Sequence, residues 1–128
     1  TKHYTTIDPS EFEKIMEGMQ GVVTGGTANI AFIPGISMCG KTGTAQNPNG
    51  PDHSTFIAFS PRINPKIAIA VYVENGKFGN LYAAPIASLM IEKYLNDSIM
   101  PSRQWLETSM METNLLYPDL PNFIQYYK

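Results

Sequence analysis

Apolar and polar positions recur along this chain with two different periods, and the changes from one to the other predict helices and strands. Early in the chain Phe12, Ile15, Met16 and Met19 fall at i, i+3, i+4 and i+7, the spacing of one helical face. Asp8, Pro9 and Ser10 precede them as capping residues with a proline suited to a first turn, and Glu11 and Glu13 favour the positive end of a helix dipole. Gly21, or the pair Gly25 and Gly26 beyond it, ends the element. The stripe of methionine and aromatic residues reads as a face turned towards a core.

Three strands are predicted next. The first lies within residues 36–45, and the turn-rich run Asn47, Pro48, Asn49, Gly50, Pro51 follows it. The second runs from Ser54 to Ser60, with residues 61–65 as the return. The third runs from Ile67 to Glu74. Its Ile67, Ile69, Val71 and Val73 face one way, while Ala68, Ala70 and Tyr72 face the other and are also mostly apolar. A strand apolar on both sides is normally covered on both sides. The short connections predict an antiparallel meander.

Asn75-Gly76 and Gly79-Asn80 then break the chain, and a second helix is expected from about Ala83 to Leu95 with Pro85 in its first turn. Ile86, Leu89, Met90 and Tyr94 form its apolar face. Beyond Asn96 the character changes, which divides the chain into residues 1–96 and a helical or irregular extension, 97–128. Residues 105–116 carry a further helical pattern. The last stretch has no clear period and reads as a tail that docks through Phe123, Tyr126 and Tyr127. The fold class is therefore α+β, a three-stranded antiparallel meander flanked by helices.

Composition narrows the classes of function. The chain has 128 residues, 43% of them hydrophobic and 16% charged, which is enough to bury a core. A formal net charge of −2 with no basic stripe argues against a nucleic-acid binder. No run reaches the roughly 18 apolar residues of a membrane span. Cys39 is the single cysteine, so no internal disulfide forms, and two histidines far apart in sequence make a metal site unlikely to assemble; neither metal nor cofactor is called for. The opening residues, Thr1, Lys2, His3 and Tyr4, suggest an excised piece or a mature product.

Residues 35–42, Gly-Ile-Ser-Met-Cys-Gly-Lys-Thr, match the phosphate-binding P-loop pattern letter for letter. That chemistry needs a helix starting at Lys41 or Thr42, whose N–H groups would hold the phosphates. Gly43, Thr44, Ala45, Gln46, Asn47 and Pro48 start no helix, so the nucleotide reading is rejected.

The same residues read as Lys41-Thr42-Gly43-Thr44 on a strand. A Lys-[Thr/Ser]-Gly triplet on an edge strand resembles the third motif of the serine penicillin-recognising enzymes. The collinear context is similar as well. Asn47-Pro48 resembles the family's exit from that motif, residues 52–61 the following strand, residues 64–76 the last strand, and residues 83–87 the start of the terminal helix. Residues 19–23 and Gly26-Thr27-Ala28 are similar to the helix and turn before the motif. The resemblance covers residues 7–95 and is nearest to the class B, elongation-type penicillin-binding proteins, which cross-link peptidoglycan.

The resemblance implies roles. Lys41 places a fixed positive charge in the cleft, and Thr42 and Thr44 offer hydroxyls to a substrate carboxylate. Gly43 lets a substrate backbone lie against the strand as an added strand. The backbone N–H of Thr44 serves as an oxyanion donor, a contribution of a few kcal/mol in such sites. Lys41 and Thr44 are thus the expected catalytic residues, and Thr42, Gly43 and Thr44 the expected substrate-binding ones. The implied ligands are peptidoglycan stem peptides and β-lactams, at the periplasmic face of the bacterial inner membrane, with an anchor not visible in these residues.

The family's reaction starts from a serine in Ser-x-x-Lys. No serine here has lysine three residues on, and Ser-x-Asn is also missing. Both motifs would precede Lys41 in the family's order, which fits truncation before Thr1; a degenerate, non-catalytic binding module is the other reading. The expectation is a D,D-transpeptidase parent whose portion here is inactive alone. Cys39 reads as a packed side chain and His53 as a loop anchor; His3 is assigned nothing. In the family's sheet the strand at residues 67–74 pairs with a strand from near the domain's start. Left open, that edge predicts self-association or coverage by the tail.

Overall fold

The computed structural model describes residue 1 and residues 4–116. Helix α1, Pro9–Thr24, begins where Asp8 accepts hydrogen bonds from Ser10 N (2.8 Å) and Ser10 Oγ (2.6 Å), with Pro9 in the first turn. Gly25 caps its other end through a bond from its N–H to Gly21 O. The helix therefore runs through Gly18 and Gly21, because each interior glycine costs only about 1 kcal/mol. A single 3-10 turn, Asn29–Ala31, leads to strand β1, Cys39–Ala45. Strand β2, His53–Ser60, and strand β3, Ile67–Val73, follow. Helix α2, Ala83–Asn96, a 3-10 turn at Pro101–Arg103 and helix α3, Gln104–Glu112, complete the described elements.

The strands form one antiparallel sheet in the order β1-β2-β3, the predicted meander, so among the described residues β1 and β3 each have a free edge. The α+β class is as expected. Register assigns the faces. Gly40, Thr42 and Thr44 lie opposite Ala58, Phe56 and Ser54, and these lie opposite Ile69, Val71 and Val73. That face carries the core, in which Phe56, Ala58, Ala84, Ala87 and Ile91 are buried with Ala28, Ala31 and Ile33 from the 3-10 turn. The opposite face carries Cys39, whose thiol donates to Met16 O of α1 at 3.3 Å. Helix α1 packs on β1, and α2 packs on β2 and β3.

Two predicted apolar faces turn out differently. On α1, Phe12 and Ile15 are exposed and Val23 is the buried residue, because only the C-terminal half of the helix lies over β1. On α2, Met90 and Tyr94 are exposed, and the buried face runs through Ala84, Ala87, Ser88 and Ile91. Small side chains there let the helix lie close to the sheet, which a stripe of large residues would prevent.

Strand β3 is a further correction. Its Ile67, Ile69, Val71 and Val73 pack against the core, but Ala68, Ala70 and Tyr72 are exposed on the other face. The reason is reach: α1 lies on that face but over β1, at the other edge of the sheet. The predicted third helix is present but ends at Glu112. The proposed docking residues Phe123, Tyr126 and Tyr127, and His3, lie outside the described residues.

Candidate active site

The motif residues sit on β1 because the strand's composition suits an edge. Gly40 is required by the core: a Cβ there would stand 2.3 Å from Phe56 Cζ, so the ring occupies the space a side chain would take. Lys41 is exposed, and its ammonium donates to Thr42 O at 2.7 Å. The Thr42 and Thr27 hydroxyls are 3.1 Å apart. Gly43 faces Thr55, whose Oγ1 would be 2.3 Å from an added Cβ. Glycine is therefore demanded by the neighbouring strand as well as by the substrate contact the sequence suggests.

A second segment closes the other side. Buried Ser54 on β2 donates to Phe78 O (2.9 Å) and accepts from Ala83 N (3.1 Å), joining the sheet to the loop before α2 and to that helix's first residue. Ala84 N donates to Gly79 O, and Lys77 N to Asp52 O. Gly79 lies so close to β1 and β2 that a Cβ would stand 2.5 Å from Thr55 O and 2.8 Å from Gly43 O. Only glycine permits that approach.

Together these segments enclose an open groove of about 560 Å3, lined by Thr27, Lys41, Thr42, Gly43, Thr44, Phe78, Gly79 and Asn80. The structure brings all four motif residues to one groove. Thr27, Phe78 and Asn80 were not singled out as site residues. Their signals were weak: Thr27 lay in a turn similar to the family's, and Gly79-Asn80 read only as a chain break. The groove offers one ammonium, three hydroxyls, a side-chain amide and the exposed Phe78 ring, a set suited to a carboxylate-bearing, partly apolar ligand.

The other candidates have structural roles. Cys39 is fully buried, and burial raises its pKa above the ordinary thiol value; the Arg62 charge opposes the shift and Glu13 adds to it. His53 Nδ1 accepts from Asn75 N at 3.0 Å, which anchors the loop as expected and makes Nδ1 the unprotonated nitrogen in that bond. Its ring lies 5.3 Å from that of Tyr72. Among the described residues no group of three His, Cys, Asp or Glu side chains could hold a metal ion.

The sequence and the fold around this groove are similar to those of known proteins. The penicillin binding protein transpeptidase domain matches residues 1–92. The chain is 43% identical over 72 residues to the peptidoglycan D,D-transpeptidase PbpA of Mycobacterium tuberculosis, a match over 49% of this chain and 15% of that protein. It is 34% identical over 106 residues to the peptidoglycan D,D-transpeptidase MrdA of Haemophilus influenzae, over 69% of this chain and 16% of that protein. The solved imipenem acyl-enzyme complex of penicillin-binding protein A from M. tuberculosis superposes with a TM-score of 0.64 at 38% identity. That match covers 73% of this chain and 21% of that one.

This chain belongs to the penicillin-binding protein transpeptidase family, in its class B branch. It spans between 15% and 25% of the length of the curated relatives it matches.

Proposed function

We propose that this chain supplies the third-motif wall of a peptidoglycan D,D-transpeptidase active site, in which a serine from outside these 128 residues attacks a stem peptide. The observation that carries the reading is the gathering of Lys41, Thr42, Gly43 and Thr44 in one groove on the free edge of β1. Thr42 and Thr44 bind the ligand carboxylate through their hydroxyls, and the Lys41 ammonium adds a charge-assisted contact. The Thr44 N–H donates to the oxyanion of the tetrahedral intermediate. The edge of β1 takes the substrate backbone as an added strand. No bond is broken by these residues alone. The relatives, peptidoglycan D,D-transpeptidases, support the activity, and acyl-enzyme structures of a relative with imipenem and ceftriaxone support β-lactams as ligands.

Two further parts of the reading follow. The site works at the periplasmic face of the inner membrane. Among the described residues no helix is long and apolar enough to cross a membrane. The free edge at residues 67–74 is a pairing edge, and the exposed Ala68, Ala70 and Tyr72 beside it favour association with a second strand.

The test is labelling with a fluorescent penicillin, comparing this chain with the full-length gene product. Labelling of the full-length protein alone is expected. Labelling of neither would favour a non-catalytic binding module, and labelling of this chain would place the nucleophile within it.

A further inference from the structure

Arg103 is buried (6% exposed), and it meets three separate groups. Its Nε donates to Glu92 Oε2 at 2.8 Å and its Nη2 to Ser88 Oγ at 2.7 Å, both on α2. Its Nη1 donates to the carbonyl of Phe32, the residue that caps the 3-10 turn at Asn29–Ala31. Glu92 is fully buried, and its second oxygen accepts from Met100 N at 2.9 Å, so among the described residues the segment after α2 satisfies the carboxylate. A buried ion pair of this kind contributes little net stability, which leaves its geometry as the feature to account for.

The Phe32 carbonyl stands at one end of the turn, and Thr27 at the other. Between them Ala31 N bonds Ala28 O and Phe32 N bonds Asn29 O, which brace the turn internally, while Ala28 N bonds Val22 O at the end of α1. Thr27 then places its hydroxyl 3.1 Å from Thr42 in the groove. We infer that Arg103 is a positioning residue for the active-site groove: it clamps the 3-10 turn to α2, and so holds Thr27 against the motif strand. The segment after Asp97 thus serves the site from behind, through α2 and the 3-10 turn. The inference rests on the proposed function for its acylation readout and on the fold alone for its exchange readout.

The test uses the full-length protein and two variants. Arg103→Lys keeps the charge opposite Glu92 but cannot hold three acceptors in one planar fork. The pair Glu92→Met with Arg103→Leu removes both charges together, a replacement that buried ion pairs often tolerate without loss of stability. Each variant is measured for thermal midpoint, for the rate of acylation by fluorescent penicillin, and for amide exchange over residues 27–33. The expected result is a folded variant that acylates roughly 10- to 100-fold more slowly, the scale on which a small misplacement acts, with faster exchange over 27–33. Unchanged acylation and unchanged exchange in a folded variant would overturn the inference. If the wild-type protein is not acylated at all, the proposed function fails and exchange alone decides: faster over 27–33 sustains the clamp, unchanged removes it.

Discussion

Gly43 and Thr55 face each other across β1 and β2 so closely that a Cβ on Gly43 would stand 2.3 Å from Thr55 Oγ1. The motif glycine is thus fixed by the sheet before any ligand arrives. Gly43→Ala is expected to lower stability by about 1–3 kcal/mol, as overpacking does. Adding Thr55→Ala removes the clashing oxygen and should restore most of that loss, read by denaturant melts of the four proteins in the cycle. If the restored double variant of the full-length protein still acylates slowly, the glycine also serves the substrate; full recovery would confine its role to the fold.

Phe56 tests the core. Its ring is buried over Gly40, which has no side chain to compensate for its loss. Phe56→Ala should cost about 3–5 kcal/mol by chemical denaturation, and a loss under about 1 kcal/mol would mean the sheet and α2 close over the gap.

Cys39 gives a pH dependence. Burial raises its pKa in the folded state, so the folded protein holds the thiol proton more tightly than the unfolded chain does. The contribution is fully present below the ordinary thiol value of 9.0 and is lost as pH rises through the folded pKa. Stability should fall above pH 9.0 more steeply in the wild type than in Cys39→Ala, and alkylation of the native thiol should be slow until the protein unfolds. Parallel stability curves for the two proteins would rule the effect out.

The exposed side of β3 predicts association. Ala70→Lys puts a charge on an exposed face beside a free edge, a device that discourages strand pairing. Light scattering across a concentration series should show this chain associating and the variant remaining monomeric. A wild-type chain that stays monomeric at all concentrations would count against pairing through residues 67–74.

Much of the meander was legible because strand and turn signals are local. The β-branched apolar run at residues 67–73 specifies a strand, and the Asn-Pro-Asn-Gly-Pro run a reversal between the two strands before it, without reference to the rest of the chain. The motif at residues 41–44 was legible for the same reason, as four adjacent residues whose types carry the chemistry. Faces were less so. Phe12, Ile15, Met90 and Tyr94 have the right spacing for buried stripes, yet the structure exposes them, since spacing defines a face but not what lies opposite it.

Neighbours along the chain set the order of the three helices and three strands, the cap at Asp8 and the identity of the motif, but left the first helix's end open between Gly21 and Gly25-Gly26 and gave no sign of the 3-10 turns. Only the tertiary structure decided that Phe78 and Asn80 stand across a groove from Lys41, that Thr27 touches Thr42, and that Arg103 reaches Phe32 over 71 residues of chain. The physical reason is that such contacts depend on how α2 and the 3-10 turn pack on the sheet. Small residues such as Ala84, Ala87 and Gly79 set that packing by their lack of bulk, which leaves almost no pattern in the sequence to read.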